Sequence, residues 1–282
     1  MALLSMTGSH PPYAGTVTDA PHFDFQADER GGVTVLRDGH PQSHVDLHDP
    51  ELLVFEYVAQ LAIGIDLLPP GPIAVTHIGG AGLTLARYVQ HTRPGSAQIV
   101  LEPDAALTEA VRRELPLPRG HRIRVRPLDG ATGVRALRDF SADAIAVDAY
   151  DAGRVPADLL TPATVAQYRR VLRPAGLLLL NLADEPNRRH LARVLATVAA
   201  EFPHAVVLAL TDVMKGRRFG NYVVLASGTA LAIDEIRRRA TRLTATTTVR
   251  PAAALQGTAK PFTDEDAEPS PTPPELGSWR VR

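Results

Sequence analysis

The chain has 282 residues, a formal net charge of −1 at pH 7, 45% hydrophobic residues and no cysteine. This length allows one large domain, or one domain with a small appendage. The near-zero charge gives no field that favours nucleic acid or an anionic membrane. Without cysteine, the sequence has no disulfide, thiolate metal site or cysteine nucleophile.

The two ends of the chain differ from its middle in composition. Residues 1–30 are rich in Pro, Gly, His and Asp, and we expect a flexible segment there that is not a signal peptide. Residues 250–282 are rich in Pro, Thr and acid, which predicts a disordered, dispensable tail. No apolar stretch approaches the roughly 20 residues that span a bilayer. We therefore expect a cytoplasmic protein with no nucleic acid or membrane partner, and leave a homo-oligomer open.

A small N-terminal region over residues 31–70 contains hairpin signals. The β-type run Val33–Leu36 is followed by Asp38-Gly39, a strong turn pair, and then by a returning strand up to Val45. The apolar spacing of Glu51–Ile65 is helical. This region is predicted to be a β-hairpin with one helix.

Residues 71–245 alternate short apolar runs with helical segments. Such alternation predicts an α/β fold, a doubly wound, mostly parallel Rossmann-like sheet with helices on both faces. The connection Thr211–Asn221 has no convincing helix, so we expect a hairpin there and one antiparallel edge strand.

Three features at predicted strand ends indicate a nucleoside site. The first strand ends in Gly79, Gly80, Ala81 and Gly82, and glycines let the backbone approach a ligand closely. Glu102 ends the second strand, where an acid commonly binds ribose hydroxyls, and Asp129 follows the third, placed to reach an adenine amino group. The alternative is a tight turn with solvated acids. A dinucleotide fingerprint is not matched, because Leu85 stands where its third glycine would be.

A pair of carboxylates closes the fourth predicted strand, in Asp148-Ala-Tyr-Asp151. Taken alone, such a pair is more commonly a turn cap and a solvated acid. Beside a ligand crevice, both side chains can instead face the ligand. They are the candidate reacting groups.

These motifs, in this order from about Val33 to Ser227, resemble the spermidine synthase (aminopropyltransferase) family. The stretches that carry the resemblance are the hairpin Leu36–Gln42, Glu56, the loop Ile78–Gly82 with Arg87, Glu102, Asp129, the Asp148/Asp151 motif and Pro174-Ala-Gly176. Two further segments, Asn181–Asp184 and Gly216–Asn221, resemble an actinobacterial branch of spermidine synthase-like proteins. Three departures from the family pattern stand out: Gly82 replaces a loop Asp, Val54 replaces a Tyr, and Asp148-Ala-Tyr-Asp-Ala152 replaces Asp-Ser-Ser-Asp-Pro.

The resemblance implies a class I methyltransferase-type fold and transfer of an aminopropyl group from decarboxylated S-adenosylmethionine to a polyamine. The nucleoside would lie against Gly79, Gly80, Gly82, Glu102 and Asp129. Asp148 would act as base and Asp151 as cation anchor. Gln42, Glu56 and Tyr150 are candidates for the acceptor channel, and neither a metal nor a prosthetic group is implied.

Two other functions fit the same sheet. The first is an S-adenosylmethionine-dependent methyltransferase, in which Arg87 would hold the carboxylate of the donor. The second is a catalytically silent nucleoside-binding protein.

Overall fold

The computed structural model describes residues 22–274, in which an eight-stranded sheet lies beside a small three-stranded sheet. Helices cover both faces of the large sheet. The predicted α/β fold class is thus confirmed. Residues 1–21 of the predicted flexible segment and 275–282 of the predicted tail lie outside the described residues.

The large sheet has the order β11-β9-β10-β8-β7-β4-β5-β6, and its five strands from β8 to β6 are parallel. Its strands are β4 (Ala74–Gly79), β5 (Ala97–Leu101), β6 (Ile123–Arg126), β7 (Ala142–Asp148), β8 (Leu172–Asp184), β9 (His204–Leu210), β10 (Gly220–Ser227) and β11 (Thr247–Pro251). From β4 the chain winds first towards β6 and then towards β8. The switch point, where open α/β sheets bind ligands, therefore lies beside β4.

The antiparallel part of this sheet is larger than expected. β10 pairs antiparallel with both β8 and β9, and β11 pairs antiparallel with β9. The predicted hairpin after β9 is confirmed, but its second strand lies inside the sheet, and a short helix over Thr211–Met214 occupies the connection where no helix was expected. The antiparallel strand at the edge is β11.

Nine helices fall within residues 22–274, and most follow a strand of the large sheet. They are α1 (Glu56–Leu67), α2 (Thr84–Thr92), α3 (Ala105–Glu114), α4 (Gly130–Arg135), α5 (Pro162–Val171), α6 (Arg189–Ala199), α7 (Thr211–Met214), α8 (Ile233–Ala240) and α9 (Ala252–Gln256). A 3₁₀ turn covers Ala157–Leu159. No helix within the described residues has the length and apolar character needed to cross a membrane.

The small sheet contains one strand that the sequence analysis assigned to the flexible segment. β1 (Phe23–Ala27) pairs antiparallel with β2 (Val33–Arg37), which pairs with β3 (His40–Val45). The predicted turn between β2 and β3 is confirmed, with positive φ at Asp38 and Gly39. β1 is ordered because Phe23 and Phe25 alternate with polar residues and pack on the core beneath the sheet.

The prediction of a disordered tail from residue 250 is wrong for the described part. β11 and α9 continue the fold, and the chain then runs across α6 and α5. Phe262 is 2% exposed, and Ser270 is fully buried. Prolines do not prevent this packing, because an extended segment can bury individual side chains without forming a helix or strand.

Alternate side chains of β8 point to opposite faces of the sheet, as its two-residue period requires. Leu178 and Leu180 join the cluster under α4, α5 and α6, whereas Leu179 joins the cluster under α1, α2 and α8. α1 thus packs on the large sheet, although residues 31–70 were predicted to form one small region of hairpin and helix. A third cluster joins the small sheet to α2 and α3.

Candidate active site

A cleft of about 510 Å³ lies at the carboxyl ends of β4, β5 and β7, the predicted place for a ligand. Its wall combines the loop after β4, the ends of β5 and β7, and residues of β2, β3 and α1. The small sheet thus closes one side of a crevice that an open sheet would leave exposed.

The glycine-rich loop meets the cleft through two of its three predicted glycines. Gly79 and Gly80 have positive φ of +77° and +106°, and both line the cleft. A Cβ on Gly79 would lie 2.5 Å from the carbonyl oxygen of Asp148, so only glycine fits between the paired ends of β4 and β7. A Cβ on Gly80 would meet no atom within 4 Å, which leaves room for a ligand.

Gly82, the third of these glycines, faces the small sheet and does not contribute to the cleft wall. Its N–H donates to Ser43 Oγ at 2.8 Å, and a Cβ there would clash with that hydroxyl and lie 3.0 Å from Val45. Thr84, at the start of α2, donates to the carbonyl of His44 at 2.9 Å. Gly82 therefore ties the loop to β3.

Glu102 lines the cleft immediately after β5, as predicted. Its carboxylate accepts a hydrogen bond from the Asp104 N–H at 3.0 Å, and burial raises its pKa. Asp104 caps α3 by accepting from Leu107 N–H at 2.9 Å, and Arg37 lies 3.7 Å from it. These contacts fix the Glu102 carboxylate at a strand end, where two adjacent ribose hydroxyls can donate to it.

Asp129 also lines the cleft, beyond the end of β6. Its Oδ1 accepts from the Thr132 N–H at 2.8 Å and caps α4, and this bond lowers the pKa of the carboxyl. Asp129 is therefore held in place as an anionic hydrogen-bond acceptor.

Asp148 is the last residue of β7 and is partly buried. Burial raises the pKa of its carboxyl from 3.8 to about 6, although a hydrogen bond from Asn181 opposes the shift. That bond joins Asn181 Nδ2 to Asp148 Oδ1 over 2.9 Å. A carboxylate with a pKa near neutrality can both accept and release a proton under physiological conditions.

Two tyrosines stand near Asp148 in the cleft wall, Tyr57 on α1 and Tyr150 after β7. Burial and then the charge of Asp148 raise both pKa values, so each phenol stays protonated. The Tyr150 hydroxyl donates to Asn221 Oδ1 at 3.4 Å. Their faces and hydroxyls provide a surface suited to a cationic alkyl amine.

The remaining predicted residues are placed less uniformly. Asp151 and Gln42 line the cleft, with Asp151 exposed at its mouth and Gln42 Nε2 donating to the His40 carbonyl at 3.1 Å. Glu56, the first residue of α1, is absent from the cleft wall, and its neighbour Tyr57 occupies it. Successive helical residues point about 100° apart, so the two cannot share that direction.

Negative charge dominates the described cleft wall. His77, whose pKa burial lowers to about 4, is neutral there, and Arg37 supplies the one guanidinium among the wall residues. The wall contains six carboxylates: Glu102, Asp104, Asp129, Asp148, Asp151 and Asp158. Such a surface attracts cations and repels a free carboxylate.

Arg87, suggested above as a partner for a donor carboxylate, points away from this cleft. It is 6% exposed and donates to the carbonyl oxygens of Gly82 at 3.1 Å, Pro116 at 3.2 Å and Leu115. Its guanidinium supports the glycine-rich loop on the side away from the cleft. It is therefore not available to bind the donor carboxylate, as a methyltransferase would require.

The order of the large sheet and the position of the cleft are those of the Rossmann-like fold of the methyltransferase type. Human methyltransferase-like protein 13, solved in complex with SAH, shares this fold with a TM-score of 0.55 and 20% identity, over 75% of this chain and 97% of that chain. No family model matches the sequence.

Among proteins with this fold, the chain is similar to the spermidine synthases. A crystal structure of a probable spermidine synthase from Corynebacterium glutamicum gives a TM-score of 0.81 and 27% identity, over 90% of this chain and 97% of that chain. Polyamine aminopropyltransferases of two Neisseria meningitidis strains are 25% identical over 223 residues, 76% of this chain and 81% of theirs. The resemblance drawn from the sequence motifs is thereby confirmed.

Proposed function

We propose that the protein is an aminopropyltransferase that moves an aminopropyl group from decarboxylated S-adenosylmethionine to a polyamine and releases methylthioadenosine. The observation that carries this proposal is the acidic cleft whose wall includes Asp148, a carboxyl with a raised pKa. Both substrates are cations, and the similarity to aminopropyltransferases supports the same reaction.

The donor would lie along the carboxyl edge of β4 and β5. Gly80 leaves space for the nucleoside. Glu102 would accept from the ribose hydroxyls and Asp129 from the adenine amino group, since both line the cleft. Decarboxylation removes the only anionic group of S-adenosylmethionine. What remains, a sulfonium and an ammonium, matches a wall of carboxylates.

The chemical step is an in-line displacement. The lone pair of a primary amine forms the new C–N bond at the carbon next to sulfur, while the C–S electron pair returns to sulfur as methylthioadenosine leaves. A free amine titrates near the lysine value of about 10, so most of the acceptor arrives protonated. Asp148 is placed to take the surplus proton, and Asp151 to hold the distal cation of the acceptor.

The two alternative functions, a methyltransferase and a silent nucleoside-binding protein, have less support. A methyltransferase must hold the donor carboxylate, yet Arg87 is bound to three backbone carbonyls and the cleft wall is acidic. A silent nucleoside-binding protein has no need of a partly buried carboxyl with a raised pKa in its cleft.

A comparison of donors tests the proposal. We expect purified protein to bind decarboxylated S-adenosylmethionine more tightly than S-adenosylmethionine in calorimetry. We also expect it to produce methylthioadenosine only when a polyamine is added. Tighter binding of the carboxylated donor, or methyl transfer, would replace the proposal with the methyltransferase function. Binding without turnover on any polyamine would favour the silent protein.

Glu102→Ala should weaken every adenosyl ligand by a similar factor. The lost hydrogen bonds involve a charged acceptor and are worth roughly 1.5–3 kcal/mol, or about 10- to 150-fold in Kd. Calorimetry with methylthioadenosine and with the decarboxylated donor measures this loss. Glu109→Ala, an exposed glutamate on α3, is the matched control. A loss for one ligand only would mean that Glu102 does not contact the shared ribose.

The cytoplasmic location and the homo-oligomer stay predictions. A polyamine is the expected small-molecule partner. Assays with polyamines of different lengths would identify the acceptor.

A further inference from the structure

The loop that leaves β7 presents Asp151 to the cleft, and the C-terminal segment 269–273 packs directly on it. Between β7 and the 3₁₀ turn, this loop contributes Asp151 and Pro156 to the cleft wall, and the 3₁₀ turn itself contributes Asp158. Its conformation thus determines the side of the cleft opposite the nucleoside position.

The loop reverses direction in a two-residue turn. The N–H of Asp151 donates to the Arg154 carbonyl at 2.8 Å, and the N–H of Arg154 donates back at 2.9 Å. The two central residues, Ala152 and Gly153, both have positive φ, of 46° and 76°. Glycine accepts this conformation, but alanine does so at a cost, so the turn needs support from its surroundings.

Ser270 provides that support through a small set of hydrogen bonds. Its Oγ accepts from the Val155 N–H at 2.8 Å, and its own N–H donates to the Val155 carbonyl at 3.1 Å. Arg154 Nε donates to the Ser270 carbonyl at 2.6 Å, and Arg154 Nη2 to the Pro269 carbonyl at 3.3 Å. Ser270 and Val155 are both fully buried, so water does not replace these bonds.

The segment that carries Ser270 is itself fixed by α5 and α6. Phe262 is buried under Arg193, whose guanidinium lies 4.0 Å from the centroid of the Phe262 ring. The backbone N–H of Phe262 donates to Thr197 Oγ1 at 2.9 Å. Asp264 accepts from the Ala163 N–H at 3.0 Å, at the start of α5. Asp266 pairs with Arg193 at 2.7 Å. Ser270 therefore reaches the loop from a rigid base.

We propose that Ser270 and Arg154 are positioning residues for the acceptor, because they hold the turn from which Asp151 faces the cleft. This inference rests on the proposed function, since it concerns the polyamine half of that site. The nucleoside half, around Gly80 and Glu102, belongs to other loops and is independent of these bonds.

The test is Ser270→Ala in the full chain, saturated with methylthioadenosine and titrated with putrescine. The variant leaves the buried Val155 N–H without its acceptor. We expect putrescine to bind about five-fold more weakly, in line with the loss of one buried hydrogen bond, with methylthioadenosine affinity unchanged. Hydrogen exchange should speed up over residues 151–156. In turnover, KM for putrescine should rise while KM for the donor stays constant.

Matched controls separate positioning from general loosening. Thr272→Ala removes an exposed hydroxyl from the same segment and should bind putrescine as the wild type does. A chain ending after Glu268 should behave like Ser270→Ala, and one ending after Pro274 like the wild type. Should the shorter chain fail to fold, the point variant decides.

The inference is overturned if exchange over 151–156 is unchanged in Ser270→Ala. It is also overturned if exchange rises without weaker putrescine binding, or if both ligands weaken equally. A wild type that binds putrescine but transfers an aminopropyl group to no polyamine would overturn the proposed function, and Ser270→Ala would still decide the positioning role. A wild type that binds neither putrescine nor any other polyamine would overturn both.

Discussion

Asp148→Asn is expected to lower turnover by roughly 10²–10⁴, the usual contribution of a general base. The substitution keeps the size of the side chain and an oxygen that can accept from Asn181, but it removes the charge and the proton acceptor. Nucleoside binding should survive within a few-fold, because Glu102 and Asp129 follow other strands, β5 and β6. Steady-state kinetics with saturating donor, together with calorimetry on methylthioadenosine, measures the two effects separately.

The pH profile gives Asp148→Asn a second readout. The base must be ionised, and burial places its pKa at about 6, so kcat/KM of the wild type should fall as pH drops through about 6. This acid limb should be missing from the residual activity of the variant. The folded-state pKa exceeds the ordinary 3.8, so the ionised carboxylate costs stability above that range. The variant should accordingly be no less stable than the wild type at pH 7.

Asp151→Asn is the control for this pair of carboxylates. As a cation anchor at the mouth of the cleft, Asp151 should affect mainly the acceptor KM, with kcat largely retained. An Asp148→Asn enzyme as active as the wild type would contradict the mechanism. Equal effects of the two substitutions on kcat would contradict the division of roles.

Phe262→Ala should lower the free energy of unfolding by about 3–5 kcal/mol, as expected when a buried aromatic ring is truncated. Phe262 is 2% exposed, and its ring packs against His190 and Arg193 of α6. Denaturant unfolding of the variant and the wild type measures the difference. The same residue belongs to the stretch that composition alone predicted to be dispensable.

Phe140→Ala is the matched control, because Phe140 is 56% exposed. We expect its effect to stay within about 0.5 kcal/mol. If Phe262→Ala were equally neutral, the C-terminal segment would not be part of the folded core in solution.

Much of the site could be predicted because parallel strands bring their carboxyl ends to one edge. Glu102, Asp129 and Asp148 each stand at or just after such an end, and the cleft contains all three. The alternation of β-runs and helices was sufficient to infer this arrangement. Arg87 was harder to interpret, since the sequence does not reveal that three backbone carbonyls bind its guanidinium.

Other features depend on contacts between distant parts of the chain. Asn181 lies in an almost continuous apolar strand, so nothing local indicates that it reaches Asp148, 33 residues away. Tyr57 follows Glu56, the residue that the family resemblance indicated. The direction in which each side chain leaves α1 decides which of the two lines the cleft, and the sequence alone does not give that direction. The segment after residue 250 is ordered through single anchors such as Phe262 and Ser270, which composition does not detect. β1 did have a local signal, the alternation of Phe23 and Phe25 with polar residues.

The hydrogen bond between Ser43 and Gly82 makes these two positions epistatic. An aspartate at position 82, the residue that the family carries there, would place its Cβ against the Ser43 hydroxyl and within 3.0 Å of Val45. A lineage with Ser43 therefore acquires that aspartate only if the Ser43 hydroxyl turns away, which breaks its hydrogen bond to the loop. The effect of an aspartate at position 82 should accordingly depend on which residue stands at position 43.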